Sequence, residues 1–514
     1  MKLLFLTSRS AAFELENTDI YYNNSTFDVI LNGETVAMEE NRNVFSLYDL
    51  VPDTGYTVLA GNEELSFKTE FESVTLDVRD FHARGDGVND DTGAIQAAIL
   101  CCPTDARVLI PPGTYWIKPV FLKSNIKIEL AEGAILLGET DRLKYPILPG
   151  RVPMAGEPGK EYYLGTWEGR AESAFAGLIT GIGVENVKIY GKGVIDGNAD
   201  KSDWWENDII KRIAWRPRGI FLNRCRNVGI QGIDCRNTAS WNQHAFFSKQ
   251  IDYIDMRLEN PKQTPNTDGI NPESCEYVNI IGCRFSVGDD CIAIKSGKAE
   301  MGRKLQTPCR YVTVRNCLME FGHGAVTLGS EMSAGIKDIT VTQCLFRKTD
   351  RGLRIKTQRG RGSTAVIDGI VFDNVRMENV LTPFVINMFY KARNDAPDLD
   401  YKYSPDPQPL DESTPYFGSF TFKNIEALDV EWAAGIFWGL PEQPIAGVML
   451  KDVVFSVKAN AQPGIAAMTA NAPEWCKEGL RFSNVKEVAL ENVEFIGFEG
   501  ETYHFSNVER KEVR

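Results

Sequence analysis

From about residue 74 onward, one hydrophobic pattern dominates the chain. It consists of two short runs in which apolar, mostly β-branched residues alternate with polar ones, with Asn or Gly at the bends. The pattern recurs in VENVKIYGKGVIDG (184–197), CRNVGIQGIDCRN (225–237), CEYVNIIGCRFS (275–286), CRYVTVRNCLMEF (309–321), IKDITVTQCLFRK (336–348) and IDGIVFDNVRMEN (367–379). A spacing of about 24–34 residues, with two strands per unit, is a solenoid signature. No helical period interrupts these units, so stacked strands must bury one another's apolar faces. The expected fold is all-β, a right-handed parallel β-helix over residues 73–514. One amphipathic helix is expected at Thr92–Cys102, where it covers the open apolar end of the solenoid. Residues 1–72 have a different texture. Their alternating runs TFDVILNG and YTVLAGN predict a small β-sandwich, and the Leu50, Pro52, Thr54, Tyr56 spacing resembles a fibronectin type III corner.

Aligning the second run of each unit brings DGINPES (268–274), DCIAIKSG (290–297), GAVTLGS (324–330), GLRIKTQ (352–358) and PFVINMF (383–389) into register. Ile292, Val326 and Leu353 then form one inward column, and Ile294, Leu328 and Ile355 a second. The alternate positions point outward, with Lys295 and Lys356 in one column and Ala293, Thr327 and Arg354 in the other. Just before these strands stand Asp268, Asp289, Asp290 and His323. Neighbouring rungs of a parallel solenoid are only about 4.8 Å apart. Residues distant in sequence therefore become one patch of three acids, one histidine and two bases. Close carboxylates raise one another's pKa, so such a group destabilises the fold unless it has a function.

Composition narrows the classes. The chain has 514 residues, 43% hydrophobic and 25% charged, which is enough for a large core and more than one domain. No run approaches the ~18 apolar residues of a membrane span. A net charge of −14 argues against general nucleic-acid binding. The first residues, MKLLFLTSRS, carry an apolar stretch too short for a secretory leader, so a cytoplasmic protein is expected. The 11 cysteines agree. Cys225, Cys235, Cys275, Cys283, Cys291, Cys309, Cys317 and Cys344 cluster without CxxC pairs or nearby histidines, which predicts core thiols in a reducing compartment and no zinc.

The ordered motifs Asn266-Thr267-Asp268, Gly288-Asp289-Asp290, Gly322-His323-Gly324 and Arg354-Ile355-Lys356 resemble those of the polygalacturonases, family 28 of the glycoside hydrolases. The resemblance extends over about residues 74–505. It implies an inverting hydrolase of α-1,4-galacturonosidic bonds that needs no cofactor or metal. Asp289 would be the general acid, Asp268 and Asp290 would activate water, and His323 would tune the acid. The residues alone do not single out which aspartate holds the proton. Arg354 and Lys356 suit a sugar carboxylate. Tyr390 matches a family tyrosine near the same subsite. Asn266, Lys295, Asn242 and the loop residues Arg359 and Arg361 are further substrate-binding candidates. His82, His244 and His504 are read as structural.

Long connections at 139–176, 198–217 and 391–416 are of a length that shapes sites. They are expected to close one end of the cleft, which favours exo-action on oligogalacturonides from the non-reducing end. The alternatives are a rhamnogalacturonan or xylogalacturonan hydrolase on the same scaffold, a Ca²⁺-dependent pectate lyase, or a non-catalytic carbohydrate-binding solenoid.

Overall fold

The computed structural model describes residues 1–154, 156–391, 400–469 and 472–514. From Thr75 to Val513 the strands stack in parallel into a right-handed parallel β-helix. A representative rung contributes Ile270–Glu273, Glu276–Ile281 and Arg284–Ser286, and each pairs with its counterpart one turn earlier and one turn later. The sheet that carries the candidate site is built from β1 (Gln243–Phe246), β2 (Ile270–Glu273), β3 (Ile292–Ile294), β4 (Val326–Gly329), β5 (Arg351–Lys356) and β6 (Thr382–Asn387).

The register follows the hydrophobic pattern. Ile270, Ile292, Val326, Leu353 and Phe384 lie rung over rung and are fully buried. With side chains alternating along each strand, Thr327 and Arg354 share an outward column, as do Gly329 and Lys356. The eight central cysteines are all buried free thiols.

Helix α1 (Thr92–Cys101) places Ile95, Ala98 and Ile99 on the solenoid core. A second helix, α2 (Glu300–Leu305), was not expected from the pattern. Its six residues sit in the connection after β3, too short a run to show a helical period.

The N-terminal residues form a three-stranded and a four-stranded antiparallel sheet. The Tyr56 hydroxyl accepts from the Val51 N–H at 2.9 Å, which fixes the corner between two strands. Phe5, Ala12 and Val44 pack on Tyr190, Ile254 and Ile281 of the solenoid. Arg42 and Ser46 both bond Asp255, at 2.7 and 2.6 Å, so the contact is polar as well as apolar.

Candidate active site

The three aspartates converge because each ends the turn that leads into β2 or β3. The Asp290 carbonyl accepts from the Gly269 N–H at 3.0 Å, which holds the two turns one rung apart. Asp268 and Asp290 are buried, whereas Asp289 is half-buried and the most accessible of the three. One rung on, the His323 N–H donates to the Asp289 carbonyl at 3.0 Å, so the histidine continues the Asp289 column.

Electrostatics separates the acids. Burial alone would raise Asp290, but the Lys356 and Arg354 charges overcome it and hold the carboxyl far below the usual range. Lys356 Nζ bonds Oδ2 at 3.0 Å and Arg354 Nη1 bonds Oδ1 at 3.0 Å. Asp268 is pushed the other way. Burial and then the neighbouring Asp289 charge raise it well above the ordinary value, with Lys295 at 3.9 Å only partly offsetting them. The surroundings therefore favour the ionised form of Asp290 and disfavour ionisation of Asp268.

The candidate cations take more specific positions than the sequence pattern suggests. Arg354 and Lys356 do project from one outward face, but each has already given one donor to Asp290. Lys356 keeps two further N–H groups for a ligand. Its ammonium stands 5.8 Å from the Tyr390 ring centroid, which brings Tyr390 to the site. Lys295 is buried, bonded to Glu331 at 3.1 Å and lying 4.9 Å from the Trp241 ring centroid. It supports Asp268 from behind.

Four candidates take structural positions instead. Asn242 is fully buried and donates to the Asp268 carbonyl at 2.9 Å, so it positions the turn rather than facing a ligand. Arg359 is not on a solvated loop. It forms a buried pair with Glu442 and bonds the carbonyls of Tyr401 and Ser404, which locks the 400–406 segment. Arg361 is likewise buried, near Lys298. Asn266 adopts φ of 54° and its side-chain oxygen accepts from Arg216 at 2.5 Å, so it joins the site to a wall.

His323 also differs from expectation. Its Nδ1 pairs with Asp350 at 3.0 Å, and that bond is the main reason its pKa is raised. Asp350 escaped the sequence reading although it occupies the Asp289–His323 column one rung further on, as the Gly322–Thr349 bridge fixes. His244 proves to be part of the site's foundation. Its Nε2 lies 3.1 Å from Glu273, and both side chains are fully buried. Burial raises Glu273 to about 8 and drives His244 well below its usual value, so the pair is neutral.

The wall itself comes from two of the long connections. Trp167 stacks between Trp215 and Trp241, with centroids at 4.8 and 5.9 Å. The guanidiniums of Arg216 and Arg218 lie 5.2 and 5.1 Å from the Trp167 ring, and burial lowers them to about 10 and 9. The Gly169 carbonyl accepts from the Lys298 N–H at 2.8 Å, which fastens this loop to the connection after β3. Glu168, next to it, is raised by burial and by Glu331. On the opposite flank, Arg351 bonds the carbonyls of Ile465 and Ala466, and Arg354 donates to Met468 Sδ at 2.6 Å. Of the 391–416 connection, residues 392–399 lie outside the described residues.

A buried carboxyl whose ionisation is disfavoured, a carboxylate held ionised and a more accessible third one, flanked by cations, can serve as a general acid–base set. Comparison with known proteins gives the family. Residues 163–398 match the glycosyl hydrolases family 28, and residues 75–141 match a rhamnogalacturonase A/epimerase, pectate lyase-like model. A probable polygalacturonase from Vitis vinifera is 28% identical over 74% of this chain and 74% of its own. An exo-poly-α-D-galacturonosidase from Dickeya chrysanthemi is 28% identical over 69% of this chain and 62% of its own. Relatives named endo-polygalacturonase occur as well. The solved family 28 exopolygalacturonase of Yersinia enterocolitica superposes with a TM-score of 0.75 at 21% identity, covering 100% of this chain and 98% of that one.

Proposed function

Because the chain belongs to family 28 of the glycosyl hydrolases, we propose that its polygalacturonase activity is exo-acting and removes galacturonate from the non-reducing end of oligogalacturonides with inversion. The observation that carries this reading is the Trp167–Trp215–Trp241 stack. It stands at the entry to β1, one rung from Asp268 on the side away from Arg354, and Trp241 packs edge-on against the fully buried His244 at 4.7 Å. A chain of sugars meeting that wall can enter only end first.

In this reading Asp289 protonates the departing oxygen, since it is the aspartate a substrate reaches first. Asp290, kept ionised by Arg354 and Lys356, takes a proton from the attacking water. Asp268 completes the water site, and the neighbouring Asp289 charge adds to the burial that raises it. Arg354, Lys356 and Tyr390 receive the sugar on the leaving-group side. The two-sheet N-terminal unit fits a fibronectin type III-like domain that braces the solenoid. Free buried thiols suit a reducing compartment, in keeping with a cytoplasmic enzyme fed by imported oligomers. The test is the early product profile from galacturonate hexamer, in which monomer and pentamer support exo-attack and internal fragments refute it.

A further inference from the structure

One corner column of the solenoid carries two aromatic rings on left-handed backbone and leaves both in solvent. At the corner between the site-bearing sheet and the next, eight successive rungs place one residue in the left-handed region. These are Asn125, Asn186, Asn227, Gln250, Tyr277, Tyr311, Asp338 and Gly369, with φ between 53° and 68°. Asn, Asp and Gly are what such backbone favours, and a bulky ring there is strained. The early rungs show what asparagine contributes: Asn186 donates to Asn125 and Asn227 to Asn186, both at 2.8 Å. The ladder ends at Gln250, which accepts from Arg226 instead, and in the next two rungs Tyr277 and Tyr311 take the position, with neither ring buried in exchange. They remain 55% and 39% exposed.

The two rings stack on each other, with centroids 5.0 Å apart and planes 20° apart. Arg310 covers Tyr311 at 5.1 Å. Tyr277 meets Tyr311 on one side. On the side of the preceding rung it borders a hollow of about 380 Å³, lined with Arg226, Lys249, Gln250 and Glu276. Glu276 is occupied by Lys249 at 2.7 Å and Arg310 at 2.6 Å. Arg226 and Lys249 against Glu276 alone leave the lining of the hollow positive on a chain whose net charge is −14. The strand that begins here ends at Ile281 under the N-terminal sandwich, so the sandwich covers its far end and leaves this corner open.

An aromatic face beside a positive hollow is what an acidic sugar requires: a platform for the apolar face of the ring and cations for its carboxylate. We propose that the Tyr277–Tyr311 corner is a second, non-catalytic binding site for oligogalacturonide, separate from the cleft. The choice of ligand rests on the polygalacturonase reading above.

Restoring the ladder tests it. Tyr277→Asn/Tyr311→Asn installs the residue that this backbone prefers, so the double variant should melt at or above the parent's temperature. In full-length protein made inactive by Asp289→Asn, calorimetric titration with galacturonate tetramer should show two sites. The ladder variant should show one, with digalacturonate turnover unchanged when it is made in the active parent. Lys249→Gln should weaken the corner site several-fold, and neutral galactan oligomers should not fill it. A stoichiometry of one in the Asp289→Asn protein, or two in the ladder variant, would overturn the proposal. Failure of the cleft reading looks different: the surviving site of the ladder variant would then be insensitive to Arg354→Ala.

Discussion

Arg354 and Asp290, 64 residues apart in sequence, meet as a buried ion pair of 3.0 Å, so in the proposed reaction the cation that would read a sugar carboxylate also holds the water-activating carboxylate ionised. Recognition and chemistry are therefore coupled. Arg354→Ala should weaken productive binding of digalacturonate by about 1.5–3 kcal/mol, the range for a charge-assisted contact. It should also let the Asp290 pKa rise. Since Asp290 must be ionised to accept a proton, the acid limb of the kcat/KM profile should move to higher pH. A binding loss with an unmoved acid limb would separate the two roles.

Asp289 accepts the Asp290 N–H at 3.0 Å through Oδ1, an interaction asparagine can keep. Asp289→Asn should therefore fold normally and bind substrate while turnover falls by about 10²–10⁴ or more. Near-normal turnover on digalacturonate would transfer the acid role elsewhere in the group.

The stacking of rungs was legible because alternation and register need only a period of two, and that same register gathered the acids, His323, Arg354 and Lys356. It could not disclose which cations were already engaged. Arg359 and Arg354 are both arginines on or just beyond one strand, yet Glu442, 83 residues after Arg359, claims the first. The walls were legible only as long connections, since nothing periodic marks Trp167 or Arg216 as neighbours of Asn266. Asp350 was legible in principle, being in the His323 column, but a turn aspartate carries no signal without its partner.

Burial and Asp289 raise the folded-state pKa of Asp268, so the stability linked to its proton is present at low pH and lost as pH rises through the folded value. Asparagine cannot ionise. Asp268→Asn should thus raise the melting midpoint by about 2 °C or more near pH 7, and the gain should shrink toward pH 4. It should abolish activity throughout. A variant less stable than the parent at pH 7 would show that Lys295 needs the charge more than the fold resents it.

The Asp350 bond is the principal cause of the raised His323 pKa, with Asp289 and Asp290 adding to it against burial. Asp350→Asn should lower that value, so the imidazolium should titrate at lower pH by NMR, where only four histidines need assignment. If the charged imidazolium assists the acid, the alkaline limb of activity should move down with it. An unchanged activity profile beside a shifted His323 would make the histidine a spectator.

The mode of attack turns on one wall. Trp167 is held between two indoles, and its loop is tied to Lys298, so the barrier is packed and bonded rather than a passing loop. In the proposed reading a terminal sugar stopped there would present its linkage to Asp289, and water activated by Asp290 would arrive on the face opposite the departing α-linked oxygen. The released galacturonate should therefore appear first as the β-anomer, visible by NMR before mutarotation. The first products of hexamer should be monomer and pentamer, and polymer viscosity should fall slowly. Trp167→Ala should lower the melting midpoint, since it empties a packed position. In the folded fraction it should admit internal binding, so that dimer and trimer join the early products. If the parent enzyme itself yields dimer, trimer and tetramer at the earliest times, the wall does not close the cleft and the exo reading fails.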